Sequence, residues 1–566
     1  MKPHGSPLAA CPALVPPKLV STARVVDLGL YSLMCPAESA GWSSCAARLF
    51  LPPTAGRSII VTADTSEENL CWLRAAYPNA RIVGAGKREV LAQLEQRFDT
   101  ELAVVAVDAL ASTNPGLSAR SVLTRSQAVS LLLLATAVAF TFALWPSSTC
   151  RALAFVASTA FLVGALFRCA LAWIGGQLLP LSVLGADDNG TLPSYTILVP
   201  LYREANVLPR LAAALLALDY PLDKLDIKLI VESDDPETAT IAERLAQDFG
   251  FHLVRVPEGA PRTKPRACNY AFALARGEFT VIYDAEDRPE PDQLRKAVAR
   301  FRSGPREIAC LQARLSFYNA NENWLTRLFA LDYALWFDVL LPALETLRVP
   351  MPLGGTSNHF RTSALRTVGA WDPYNVTEDA DLGIRMAQSG MRVAMLDSTT
   401  FEEAPTTLAA WLKQRSRWLK GYMQTWLVHM RDPLALKRRT GWLGFLSLQF
   451  FLGGTVIAAL VNPLLWLMFL WTARFGWSTD VSATGRALMT ITSFGLLSGN
   501  ALLTWLAIIA PTRREWSGIT PYAFAVTFYW ALISLAAWRG LWQLATRPFY
   551  WEKTAHGLSR FEQIVP

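Results

Sequence analysis

The chain has 566 residues, of which 52% are hydrophobic and only 17% charged, with 20 tryptophans and a net charge of +7. An ordinary soluble domain carries about 25% charged residues, so part of this chain is built for lipid, and the length leaves room for two or three domains. Basic residues clustered beside apolar segments argue for a membrane face and against nucleic acid, while eight scattered cysteines without CxxC spacing argue against a zinc site or a disulfide framework.

In chain order, the opening MKPHGSPLAACPALVPP is broken by prolines and lacks the apolar core of a signal peptide. Within residues 1–120, SIIVTAD and ARIVGAG read as short strands, and KREVLAQLEQRF places Val90, Leu91, Leu94 and Phe98 at helical spacing. This segment is expected to be a small cytosolic α/β module. It resembles the N-terminal domain of type II secretion ATPases and carries no residue that points to chemistry. Residues 126–175 hold two apolar runs, Ala128–Trp145 and Ala152–Ile174, joined by WPSSTCR. Each is close to the ~20 residues that cross a bilayer, which predicts a transmembrane hairpin. Arg120 and Arg125 before it favour a cytoplasmic N-terminus.

Residues 190–404 alternate short apolar strands (TILVP, DIKLIVE, FHLVRVP, FTVIY) with helical segments, the pattern of a mostly parallel sheet covered on both faces. It carries neither GxGxxG nor a Walker loop. Helices are expected from Pro236, across Asn269–Ala275 and from Pro291. Residues 405–440 mix Trp, Leu and Met with Gln, Arg and Lys, as an interfacial amphipathic helix does. Residues 441–548 predict further spans. Phe445–Trp471 reads as an interfacial stretch and then a crossing kinked at Asn462-Pro463, Leu488–Ala510 as a clean span, and Pro521–Leu544 as a crossing or a re-entrant helix. Residues 549–566 form a cytosolic tail.

The strongest chemical signal is EFTVIYDAED, Glu278–Asp287. A buried strand runs into Asp284, Glu286 and Asp287, whose mutual repulsion a bound cation would justify; Mg²⁺ sits typically between one or two carboxylates and a substrate phosphate. In open α/β sheets the ligand lies beyond the carboxyl ends of the strands, where these acids fall. VPLYREA, with Tyr202 and Glu204, and VESDD, with Glu232, end the first two strands, and Lys264 precedes a helix, well placed to meet phosphate. VTED brings Thr377, Glu378 and Asp379 to a helix start after a Gly-Gly-Thr-Ser loop. In QRSRW, Gln414, Arg417 and Trp418 fall at i, i+3 and i+4, on one helix face.

Strand-ending acids, a DxD-like cluster, TED and QxxRW in this order resemble the inverting family 2 glycosyltransferases. More narrowly, they are similar to the membrane-embedded processive synthases of cellulose, curdlan and hyaluronan. The resemblance implies an α/β GT-A domain inserted between transmembrane α-helices. It further implies a UDP-sugar donor, UDP-glucose favoured, a growing polysaccharide as acceptor, and Mg²⁺ or Mn²⁺. By the same resemblance Glu232 reads the uracil, Lys264 meets the diphosphate, and Asp284 meets the nucleotide and, with Glu286 and Asp287, the metal. Asp379 is then the general base, Gln414 and Arg417 bind diphosphate, and Trp418 stacks on the acceptor sugar. Tyr202, Glu204, Thr377 and Glu378 complete the substrate site. Two departures stand out: Glu-Ser follows the second strand in place of Asp-Asp, and the DxD is stretched to Asp-Ala-Glu-Asp. In the tail, WEKTAHG resembles the gating loop of cellulose synthase, with Trp551, Thr554 and His556 at matching positions.

The function implied is polymerisation of a β-linked polysaccharide by metal-assisted inverting transfer, with export through the chain's own spans or an accessory export subunit, in a bacterial-type inner membrane with the catalytic domain cytoplasmic. A non-processive transferase glycosylating a membrane lipid and a catalytically retired scaffold or receptor are the alternatives. Asp381 and Arg385 read as an i,i+4 surface pair, and His359 as a packing or hydrogen-bonding residue.

Overall fold

A computed structural model of the chain describes residues 48–54, 57–62, 71, 74, 81–84, 87–177, 192–475, 481–514, 518–553 and 557–559. In strand β4 (Tyr195–Leu201), Tyr195, Ile197 and Val199 enter one buried cluster and Leu198 another. The period of two thus builds a separate core on each face of the sheet. The other strands are β5 (Leu225–Glu232), β6 (His252–Val256), β7 (Phe279–Ile282), β8 (Arg288–Pro289), β9 (Ile308–Phe317), β10 (Asn358–Arg361) and β11 (Arg392–Glu402). Among the described residues the sheet has eight strands in the order β6-β5-β4-β7-β10-β9-β11-β8. β4 to β7 pair in parallel, as the alternating pattern predicts. β10 departs from that pattern: it runs antiparallel between β7 and β9 and returns the chain from the Gly354–Ser357 loop.

Earlier in the chain, β1 (Arg48–Thr54), β2 (Arg57–Thr62) and β3 (Arg81–Gly84) form a small separate sheet. Helix α1 (Lys87–Thr113) follows and docks on the central domain through buried Leu102, Ala106 and Leu110. The Tyr270 hydroxyl donates to Asp99 at 2.7 Å, and the Asn269 amide donates to Ala106 O at 3.0 Å. Beyond the helix, the Asp372 carboxylate accepts from the Ala119 N–H at 2.5 Å and the Ser118 hydroxyl at 3.1 Å.

The remaining helices that position the site are α2 (Arg125–Leu144), α3 (Pro146–Gly176), α4 (Leu208–Leu216), α5 (Pro236–Phe249), α6 (Lys264–Phe272), α7 (Gln293–Ser303), α8 (Trp324–Leu335), α9 (Leu341–Leu347), α10 (Thr362–Thr367), α11 (Glu378–Gln388), α12 (Leu408–His429), α13 (Pro433–Leu448), α14 (Gly454–Phe475), α15 (Ala483–Ile509) and α16 (Val526–Thr546). Helix α6 starts five residues before the expected Asn269, because Pro265 fits a first helical turn. Five helical segments among the described residues are long and apolar enough to cross a membrane: Arg125–Leu144, Pro146–Gly176, Pro433–Phe475, Ala483–Ile509 and Thr520–Thr546. Their outer faces expose Leu132, Leu133, Trp173, Phe494 and Trp542. Helix α14 runs through Pro463 without ending there. A break lies at Gly441, whose φ of 72° is a left-handed conformation that glycine adopts without a side-chain clash.

Two π-helical turns, Trp336–Leu340 and Gln449–Gly453, interrupt the helices where they face the central cavity, and Trp336 packs on Phe451 at 4.5 Å. Extra residues inserted in a helix re-aim its side chains, and such turns gather at functional sites.

Candidate active site

A cavity of about 1210 Å³ opens beyond the carboxyl ends of β4, β5 and β7 and continues between α3, α14 and α16. Tyr202, Glu204, Glu232, Lys264, Asp284, Glu286, Thr377, Glu378, Asp379, Gln414, Arg417, Trp418 and Trp551 all line it. Residues drawn from six separate motifs, with Lys264, therefore share one space. Thr554 and His556 lie outside the described residues.

Lys264 opens α6 and pairs with Asp284, while its ammonium also donates to Gly355 O at 2.7 Å. Burial alone would lower its pKa, but Asp284 and Glu378 outweigh that and hold it raised, so the lysine is cationic. Glu232 accepts from Arg266 at 3.2 Å. Its pKa is raised by burial, against the pull of Arg266.

The acidic cluster divides. Asp284 and Glu286 line the cavity, whereas Asp287 is 1% exposed and braces the turn from behind. Its Oδ2 accepts from the Asp284 N–H at 2.7 Å and from the Thr356 hydroxyl. Of the three acids expected to hold a metal, Asp284 and Glu286 face the cavity, while Asp287 turns its Oδ2 to the backbone of the tight turn after β7. Glu402, which the sequence pattern does not mark, joins these acids from the end of β11. Burial, then Asp287, Glu286 and Asp284, push its pKa well up. No three of these side chains converge on one point among the described residues. The donor set nonetheless suits a hard cation: Asp284 and Glu286 give oxygen ligands, and buried Asp287 Oδ1 has no hydrogen-bond partner among the described residues.

Thr377 precedes α11, and Glu378 and Asp379 form its first turn. The Asp379 Oδ1 accepts from the Ala380 N–H at 2.7 Å. Burial raises its pKa to about 6, with Lys264 and Arg417 pulling it down. Glu378 rises to about 8 through burial and then the charge of Asp379. At neutral pH the pair therefore carries one ready proton acceptor beside one protonated acid. The loop is held from α12: the Val376 N–H donates to Gln424 at 3.1 Å, and Asn375 donates to Thr425 at 2.9 Å. Gly421 lies against Thr377, where any Cβ would overlap the threonine side chain.

On α12, Gln414 is buried and Arg417 and Trp418 are half-buried. The Trp418 ring stacks on Tyr333 at 6.1 Å and carries Arg415 at 4.7 Å, so part of it is taken by protein. The tail crosses the site as a strap. Trp551 packs under Arg417 at 4.4 Å, Glu552 accepts from Arg539 at 2.6 Å, and Lys553 pairs with Glu204. The partner of Arg539 explains how a charge is tolerated in α16.

Two further expectations resolve here. Asp381 and Arg385 are not a surface pair: both are sealed inside, at 0% and 1% exposure. Arg385 donates to Asp381 at 2.6 Å and to the Val368 and Ala370 carbonyls, and His429 lies 3.0 Å from Asp381. The helix turns this face inward against α12, which spacing alone does not reveal. His359 is buried between Tyr195 and Gln293, and burial lowers its pKa to about 3, so it is neutral.

Residues 193–421 match the model of a glycosyltransferase-like family 2. The chain is 27% identical over 399 residues to the beta-monoglucosyldiacylglycerol synthase of Synechocystis sp., covering 67% of this chain and 78% of that protein. It is 27% identical over 297 residues to probable glucomannan 4-beta-mannosyltransferase 7 of Oryza sativa subsp. japonica, half of each chain. Among solved structures, a Pyrobaculum calidifontis mannosyltransferase in complex with GDP-Man and Mn²⁺ superimposes with a TM-score of 0.41 and 21% identity, over 62% of this chain and 97% of that one.

Proposed function

We propose that this chain, whose residues 193–421 match the glycosyltransferase-like family 2 model, is a hexosyltransferase of GT-A type that transfers a hexose from a nucleoside-diphosphate sugar to a hydroxyl of a membrane lipid, with inversion. The observation that carries this reading is the single cavity, which joins the Asp379 carboxylate to a chamber between apolar helices. An acceptor with an acyl chain would reach the base from that chamber. The name of the Synechocystis relative supports a lipid acceptor.

Asp379 takes the proton of the acceptor hydroxyl as its oxygen attacks the anomeric carbon; a carboxylate with a pKa near 6 is ionised at neutral pH yet basic enough to accept. Lys264 and Arg417 meet the diphosphate, whose negative charge grows as it leaves. Glu232 and Tyr202, at the strand ends, would face the nucleoside. A divalent cation held by Asp284 and Glu286 would neutralise the leaving group as a Lewis acid. With one base and no enzyme nucleophile, transfer is a single displacement. UDP-glucose remains the favoured donor.

The second reading, a β-linked polysaccharide synthase, is favoured by Gln414, Arg417 and Trp418 on one cavity wall. Against it, Tyr333 and Arg415 already occupy part of the ring on which a sliding sugar would stack. The stereochemistry of the product tests the shared step. An α-linked sugar nucleotide should give a β-linked product by NMR, and an α-linked product would remove the single displacement.

A further inference from the structure

Arg168 stands in the C-terminal half of α3, inside an apolar segment long enough to span a membrane, and it lines the same cavity. A charge in such a segment is costly and marks function by default, with a partner to be named. Among the described residues it donates to the Thr455 hydroxyl at 2.5 Å and forms no ion pair. The acid whose charge it feels most, Asp332, is held by Arg415 at 2.5 Å. Thr455 in turn gives its own proton to Phe451 O, so its oxygen is committed as an acceptor to the arginine. The guanidinium is thus positioned by the protein and left without a carboxylate of its own.

The surroundings indicate what it meets. Ala157, Ala160, Phe161, Gly164 and Ala165 line the cavity on the α3 face that leads to Arg168, at helical spacing. Apart from Phe161, which packs into its own cluster, the side chains there are small and leave room for an acyl chain along the helix. Tyr422, also on the cavity wall, lies near enough to feel the charges of both Asp379 and Arg168. The arginine and the base therefore belong to one continuous path.

We propose that Arg168 and Thr455 form the headgroup site for an anionic phospholipid acceptor, whose acyl chain lies along the small-residue face of α3 and whose headgroup hydroxyl reaches Asp379. The proposal rests on the lipid-acceptor reading above. Arginine offers a planar fork matched to phosphate oxygens, and Asp332, the acid that acts on it, is already paired with Arg415, so an anion in the cavity adds charge compensation that the protein supplies only in part. In the reaction the hydroxyl oxygen bonds to the anomeric carbon and the hydroxyl proton passes to Asp379. The bond from that carbon to the diphosphate oxygen breaks, and its electron pair leaves with the nucleoside diphosphate. The phosphodiester on Arg168 is unchanged.

The test uses the full chain in phosphatidylcholine vesicles doped with either phosphatidylglycerol or diacylglycerol, fed one labelled sugar nucleotide. Phosphatidylglycerol should be the better acceptor. Arg168→Gln should lower its glycosylation by about tenfold or more, the loss expected for a charge-assisted bond, and Arg168→Lys should recover part of it. Excess inorganic phosphate should not compete, which separates a lipid headgroup from free phosphate. Should the variants fail to fold, native mass spectrometry of the wild-type chain should show phosphatidylglycerol retained over diacylglycerol. Diacylglycerol used in preference, with Arg168→Gln unaffected, would overturn the headgroup site while leaving a lipid acceptor in place. Competition by free phosphate, or equal retention of both lipids, would also overturn it. A polymer as the only product would overturn the site together with the reading on which it rests.

Discussion

The Arg417 guanidinium lies 4.4 Å from the ring centre of Trp551, so a residue of the QxxRW helix is seated on the C-terminal strap. Arg417 also faces Glu378, Asp379 and Asp284, whose charges act on it. The indole therefore fixes the aim of the cation that meets the diphosphate. A cation–π contact contributes about 0.5–2 kcal/mol, so Trp551→Ala should raise the donor KM by roughly 2- to 30-fold. Arg417→Ala should cost more, because it removes the charge itself. The comparison is a pair of donor titrations, and an unchanged KM in Trp551→Ala would show that the strap leaves Arg417 unaffected.

Asp379→Asn should abolish transfer, by about 10²–10⁴-fold, while nucleotide binding stays near wild type. Because burial holds Asp379 near 6, the base is protonated below that pH and ionised above it. Activity should therefore rise with pH through about 6 and then level. An acidic limb at the ordinary Asp value of about 3.9 would show that the buried environment does not tune the base.

Asp284 and Glu286 line the cavity beside Lys264 and crowd against Asp287 and Glu402. Such crowding is relieved by a cation, so chelation should stop turnover and added Mg²⁺ or Mn²⁺ should restore it. The measurement is initial rate in EDTA and after re-addition. Full activity in chelator would leave the lysine and arginines as the only counter-charges to the leaving diphosphate.

Asp381→Ala should destabilise the catalytic domain by about 3–5 kcal/mol, because it strands Arg385 and leaves His429 without its acceptor inside the core. Burial raises the Asp381 pKa, but Arg385 and His429 outweigh that and hold it below the ordinary carboxylate value. Its contribution is therefore present at neutral pH and is lost only as the pH falls through the lowered folded value. Thermal unfolding of the variant reads the effect, and an unchanged midpoint would return the pair to the surface category.

The strands and the apolar spans were legible because both are apolar runs of telling length: β4 is a short run buried on both faces, and α2 is long and apolar all round. The motif residues were legible because acids at strand ends and an amide, a guanidinium and an indole on one helix face are unusual on packing grounds. What escaped was set by tertiary contact. Asp381 and Arg385 have the spacing of an exposed pair, and only α12 packing over them makes them internal. Glu402 ends an ordinary strand, and nothing local marks it as a neighbour of Asp284. Asp287 sits in the motif, yet the tightness of its own turn draws it away from the cavity. Arg168, a charge within an apolar run, is not singled out by the sequence reading, because its meaning depends on Thr455, far along the chain.

The central claim is that one cavity brings a lipid hydroxyl to Asp379 and a sugar nucleotide to Lys264 and Arg417. The most direct measurement feeds membranes containing the full chain a panel of labelled UDP- and GDP-sugars, then separates organic-extractable from polymeric product. The expected result is label in an extractable glycolipid for one donor, lost in Asp379→Asn. High-molecular-weight carbohydrate as the sole labelled product, or transfer that survives Asp379→Asn, would contradict the account.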